Sequence, residues 1–159
     1  MSSGSTAFFA GSFDPVTVGH VDLVVRARAI FGAVVVAVGN NPAKRYRFSL
    51  AERVELFRQA LLDVGVDAPV VSFEGLVVDA ARVHGAQVML RGLRGVSDLD
   101  LELRNGHANR DLSGIETVFL PSRPEHVHVS SSLVREIASH GGDVSRYVPP
   151  VVLERLRRP

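Results

Sequence analysis

Six sites along this chain carry side chains that suit one kind of chemistry. They are Ser12, His20, Lys44, Arg91, Arg94 and the run Ser130-Ser131-Ser132. All are hydrogen-bond donors, and Lys44, Arg91 and Arg94 are cations, which together suit phosphate oxygens. There is no cysteine, so disulfides, thiolate metal sites and a cysteine nucleophile are excluded. Taken singly, each residue has an ordinary reading. A charge in a loop is solvated by default, Gly11 shapes a turn, and His20 caps a helix. What points to a shared site is where they fall relative to the elements.

The stretch Ala7 to His20 shows this best. Ala7–Ala10 is an apolar run of strand length, Gly11 breaks it, Asp14-Pro15 turns the chain, and an apolar helical pattern starts at Val21. Strand, glycine-containing loop and helix N-terminus make a phosphate-binding geometry, because the first helical N–H groups lack internal partners and the dipole favours an anion. Gly11 and Gly19 would let a ligand approach the backbone, with His20 as a side-chain donor in the first turn. The loop matches neither the P-loop nor the dinucleotide fingerprint.

Further along, Val21, Val24, Val25 and Ala29 share a helical face, Asp22 and Arg26 pair at i, i+4, and Gly32 ends the helix. Ala33–Val38 reads as a buried strand. Ser49-Leu50-Ala51-Glu52 is a capping box, opening a helix to about Val64. Strands are expected at Ala68–Phe73, Gln87–Leu90 and Glu116–Leu120. Helices are expected from Leu76 to His84, from a Ser97 cap towards Asp111, from Ser130–Ser132 to Gly141-Gly142, and from Pro149-Pro150 to the end. Strands and helices alternate five times, which is the pattern of a doubly wound, five-stranded parallel α/β sheet. Such sheets bind ligands beyond the carboxyl ends of their strands. Ser12 and His20 follow the first strand, Lys44 the second, Arg91 and Arg94 the fourth, and the serines the fifth.

At 159 residues, with 46% hydrophobic residues and mean hydropathy +0.17, one domain over residues 1–159 is expected. No apolar run approaches a membrane span, and the polar, uncharged start Met1–Thr6 does not resemble a secretory signal. A net charge of +1 without a basic run, and the absence of tryptophan, argue against nucleic acid as partner. These features fit a cytoplasmic location.

Gly11-Ser12-Phe13-Asp14-Pro15 with Thr17-x-Gly19-His20 resembles the opening motif of the nucleotidylyltransferase superfamily, which has a Rossmann-like fold. Arg91-Gly92-Leu93-Arg94, Glu102, Asn109-Arg110 and Ser130 to Glu136 narrow the resemblance to bacterial phosphopantetheine adenylyltransferases, over Ala7 to about Pro149. The resemblance implies transfer of the adenylyl group of ATP to 4′-phosphopantetheine, with Mg²⁺, a homohexamer, and coenzyme A as feedback inhibitor. It also implies roles: His20 as transition-state stabiliser; Ser12, Lys44, Val77 and Arg91 on phosphopantetheine; and Ser12, Phe13, His20, Gly92, Leu93, Arg94, Glu102, His126, Val127, His128, Val129, Ser130, Ser131 and Ser132 on ATP. It singles out no metal ligand; Asp14 and Asp98 are carboxylates able to hold Mg²⁺ through water.

Some positions depart from that family. Ser12 stands where threonine is usual, with the hydroxyl kept, and Leu101 replaces an aromatic. Arg104-Asn105-Gly106-His107 is unusually polar, and Gly106 should cost its helix ~1 kcal/mol against alanine. Other nucleotidylyltransferases, a non-catalytic nucleotide-binding module and a structural interaction domain are the competing readings. The Arg-Gly-Leu-Arg and triple-serine segments argue against the first, and the intact donors and clustered cations against the other two.

Overall fold

A computed structural model describes residues 4–158, so Met1–Ser3 of the polar start lie outside the described residues. Five strands form one sheet: β1 (Thr6–Gly11), β2 (Ala33–Gly39), β3 (Val70–Phe73), β4 (Val88–Leu93) and β5 (Glu116–Pro121). Their order is β3-β2-β1-β4-β5, with every pairing parallel. The order reverses between β1 and β4, and that is where a crevice opens. The helices are α1 (Val18–Phe31), α2 (Leu50–Leu62), α3 (Val77–Val83), α4 (Val96–Ser113), α5 (Ser131–Ser139) and α6 (Pro150–Arg157).

The central strand β1 and its neighbour β2 are almost wholly apolar because both sheet faces are covered there. Along β1, Ala7 and Phe9 pack on one face and Phe8 and Ala10 on the other; along β2, Val34, Val36 and Val38 oppose Val35 and Ala37. The first face is covered by α1, α2, α5 and α6 through residues such as Val24, Phe57, Val134 and Val152. The second is covered in part by α3 through Val77, Ala80 and Ala81, while α4 packs beside β4, β5 and α3.

Element ends shift by a residue or two in several places, β3 for example starting at Val70 and not Ala68, and three differences from the sequence reading bear on the site. α1 begins at Val18 rather than Val21, because Thr17 caps it. β4 continues through Arg91-Gly92-Leu93, which the sequence puts after the strand. These residues pair with Phe119, Leu120 and Pro121 of β5, and this edge partner holds a polar stretch extended. α4 is capped by Gly95 without a side-chain hydrogen bond, so Ser97 lies inside the first turn and is not the cap. The expected capping box of α2 and the Asp22–Arg26 pair are both present.

Candidate active site

The β1–α1 loop begins the site. Phe13 adopts a left-handed conformation, φ 47°, which turns its ring inward. The ring is buried against Phe57 (centroids 4.7 Å apart) and against His20 (4.9 Å, near-perpendicular). A Cβ at Gly11 would come within 2.8 Å of this ring. Gly11 is therefore needed first to seat Phe13, a different reason from ligand approach. Phe13 can offer a ligand its backbone but not a free ring face.

His20 and Thr17 cap each other. Thr17 Oγ1 accepts from the His20 N–H (3.3 Å), and the Thr17 N–H donates to His20 Nδ1 (3.0 Å). A ring nitrogen that accepts is unprotonated, so the neutral ring carries its proton on Nε2. Burial above all, then the charges of Arg94 and Arg91, lower the His20 pKa from 6.5 to about 3. His20 is thus a neutral N–H donor on the wall of a cavity of about 510 Å³. Capping and donation, alternatives at the level of sequence, use opposite nitrogens of the same ring.

Two arginines enter from β4 and the turn after it, and two carboxylates one turn apart on α4 meet them. Glu102 takes Arg91 through both its oxygens (2.8 and 2.7 Å), and Arg91 Nη1 donates to Ala10 O (2.8 Å). Asp98 takes Arg94 (3.0 Å). Arg91 has five N–H groups, so one on each terminal nitrogen stays free. Gly92 lies under α1: a Cβ there would come within 2.5 Å of Leu23 Cδ1.

The serine run divides its labour. Ser130 Oγ accepts from Leu133 N (3.1 Å) as the α5 cap, and Ser131 Oγ donates to Pro15 O (2.7 Å), tying α5 to the phosphate loop. Ser132 Oγ accepts from Arg135. All three line the cavity together with Ser12, Phe13, Lys44, Arg91, Gly92, Arg94, Glu102, His126 and Val129. Leu93, Val127 and His128 do not. Leu93 lies in β4 with its carbonyl bound by Ser122 N–H, and the His128 ring packs edge-on against Tyr147. Val77 lines an adjoining cavity of about 400 Å³, which shares Ser12, Tyr46 and Arg91 with the first and also holds Asn40, Asn41, Asn105 and Asn109.

The carboxylates considered for Mg²⁺ are committed elsewhere. Asp14 is buried and accepts from Arg47 N–H (2.7 Å) and Phe48 N–H (3.0 Å), and Asp98 holds Arg94. Among the described residues no group of three or more His, Asp or Glu forms a metal cage.

A family model described as cytidylyltransferase-like matches residues 8–137. A phosphopantetheine adenylyltransferase of Rhizobium rhizogenes is 48% identical over 157 residues, covering 96% of this chain and 94% of its own. One from Frankia casuarinae is 49% identical, over 92% and 93%. The chain belongs to the phosphopantetheine adenylyltransferase family. A crystal structure of a bifunctional NMN adenylyltransferase/ADP ribose pyrophosphatase from Francisella tularensis shares the fold, with TM-score 0.71 at 14% identity, over 96% of this chain and 48% of that one.

Three residues at or behind the site have no assigned role in the sequence reading. Arg135 and Tyr46 line the cavity, and Arg53, with Asp14, is a buried polar group that ties its loops together. The i+3 spacing of Ser132 and Arg135 was a legible signal. Nothing local marks Arg53, which reads as an ordinary helix residue.

Proposed function

We propose that this chain transfers the adenylyl group of ATP to the phosphate of 4′-phosphopantetheine, forming dephospho-coenzyme A. An acceptor phosphate oxygen bonds to the α-phosphorus, the bond from that phosphorus to the β-phosphate bridge breaks, and pyrophosphate leaves with the electron pair. The acceptor is already an anion, so no side-chain nucleophile or base is required. The chain's task is to bring two anions together and stabilise charge as it develops.

The observation that carries this reading is the neutral Nε2–H of His20 beside Arg91 and Arg94 at the switch point of the sheet. His20 donates to the α-phosphate as negative charge builds there. Arg91, gripped from one side by Glu102, keeps an N–H on each terminal nitrogen for the acceptor phosphate, and Lys44 adds a point charge from the next loop. Ser12 faces both substrates. Val77 and the asparagines of the second cavity suit the amide-bearing arm. Gly92, Arg94, Ser130–Ser132 and their neighbours Leu93, Glu102 and His126–Val129 serve the nucleotide. Leu93, Val127 and His128 lie off the cavity wall and serve there only by holding these neighbours in place. No carboxylate or histidine cage is available among the described residues, so Mg²⁺ would be held by the phosphates of ATP and by water, where it would supply charge neutralisation.

The rest of the reading follows the family: one nucleotidylyltransferase domain over 1–159, a cytoplasmic homohexamer, and coenzyme A as feedback inhibitor. No helix among the described residues is long and apolar enough to cross a membrane. Incubation with ATP, Mg²⁺ and 4′-phosphopantetheine should release pyrophosphate. Nicotinamide mononucleotide as acceptor, or CTP as donor, should not replace the natural pair. Equal turnover with those would reassign the substrate.

A further inference from the structure

Arg53 belongs to α2 and is not part of either cavity wall, yet nearly all its partners are. It is 1% exposed. Its guanidinium donates to Ser12 O (2.7 Å), Gly39 O (2.9 Å), Phe48 O (3.2 Å) and Asn40 Oδ1 (3.3 Å), and lies 3.9 Å from the centre of the Tyr46 ring. Ser12 and Tyr46 line both cavities, and Gly39 and Asn40 line the second. All its hydrogen-bond acceptors are neutral. Among the described residues no carboxylate reaches it as a salt bridge, and Asp14 acts on it only at longer range.

A cation in such a position is costly to bury, and an apolar side chain would fill a core site at less cost. What Arg53 supplies is a rigid planar fork with donors in several directions. These donors join the loop carrying Ser12 to the end of β2 and to the entry of α2. A second tie crosses the first: buried Asp14, from the Ser12 loop, accepts from Arg47 N–H and Phe48 N–H. The segment clamped between them is the loop that carries Lys44 and Tyr46. The far end of the Ser12 loop has anchors of its own that do not involve Arg53: Ser131 to Pro15 O, Val18 N–H to Tyr147 O and the Thr17–His20 cap.

We propose that Arg53 is a positioning residue chiefly for the acceptor, setting the distance between Ser12 and the Lys44–Tyr46 loop, while the nucleotide, which meets this clamp only at Ser12 and Phe13, keeps its remaining contacts. This rests on the assignment of the acceptor given above. The test uses Arg53→Lys and Arg53→Gln in the full chain, with separate calorimetric titrations of ATP and of 4′-phosphopantetheine. Amide exchange and melting temperature are read on the same preparations.

Acceptor affinity should weaken at least about tenfold, as displacement of a contact by an ångström commonly does, and more in Gln than in Lys. ATP affinity should stay within about threefold, well under one factor of ten. The amides of Arg47 and Phe48 should exchange faster while those of β1 and β2 hold. A merely structural arginine would lower the melting temperature with acceptor and ATP affinities unchanged or falling together. That result, or failure of both variants to fold, overturns the proposal. A parent protein that binds ATP but not phosphopantetheine would instead sink the acceptor assignment. The clamp is then judged on exchange alone, localised acceleration at 47–48 sustaining it and uniform acceleration refuting it.

Discussion

His20 caps α1 and lines the cavity, and its capping role and its proposed role as donor come apart experimentally. Loss of the Nδ1 bond to Thr17 should cost about 1 kcal/mol of stability, the net worth of one hydrogen bond. Loss of the Nε2 donor should cost on the order of 10²–10³ in turnover, with ATP affinity near the parent's. Thermal melts, ATP titration and turnover on one preparation of His20→Ala separate these, and near-parental turnover ends the catalytic assignment. The depressed pKa adds a signature. Between about 6.5 and about 3 the unfolded chain binds a proton that folded His20 refuses. Its contribution to stability is therefore full above pH 6.5 and is lost as pH falls towards 3. His20→Gln should flatten stability across that window, measured by denaturant melts from pH 7.5 to 4. For the same reason turnover should show no limb near pH 6.5 from this histidine. Arg91 and Lys44 also differ at this scale. Lys44 is exposed, whereas Arg91→Ala leaves the partly buried Glu102 carboxylate unpaired beside the acceptor phosphate. Acceptor KM should rise more for Arg91→Ala than for Lys44→Ala, and equal effects would count against the fork argument.

At the scale of elements, the glycines of β4 and α4 behave oppositely. A Cβ at Gly106 meets Thr117 Cβ at 3.4 Å and Phe119 Cζ at 3.5 Å, ordinary contacts. Gly106→Ala should therefore recover most of the ~1 kcal/mol of helix propensity that glycine forfeits. A Cβ at Gly92 meets Leu23 Cδ1 at 2.5 Å, so Gly92→Ala must push the buried Leu23 side chain out of its place in the core and should destabilise. Melting temperatures of the two variants should move in opposite directions. The N-terminus of α2 carries an acid-sensitive joint. The Ser49 N–H and hydroxyl, and then Arg155 of α6, lower Glu52 from 4.5 to about 2. Its contribution is present above pH 4.5 and lost as pH falls towards 2. The stability gap between parent and Glu52→Gln at pH 7 should close at the acid end, as denaturant melts at pH 7 and pH 2.5 would show.

For the whole molecule, light scattering at micromolar concentration should find a homohexamer, and a monomer would count against that part of the family reading. The alternation of apolar runs with capped helices was enough to read a five-stranded parallel sheet, because burial on both faces leaves no polar residue to interrupt β1 or β2. Ser12, His20, Lys44, Arg91, Arg94 and the serine run were legible for a related reason. Topology brings whatever follows a parallel strand to one edge, and their donor chemistry is written in residue type. What the sequence could not decide was how these groups are engaged. Only the packed chain brings Glu102 and Asp98 onto Arg91 and Arg94, spends the Asp14 carboxylate on the Arg47 and Phe48 amides, and extends β4 through Arg91 because β5 lies beside it. Only the packed chain turns the Phe13 ring over Gly11 and sets Arg53 behind Ser12. Each of these depends on distances between segments far apart in the chain, and local propensity and spacing carry no information about such distances. Residue types therefore determined which chemistry was available, and tertiary contacts decided which donors remain free to perform it.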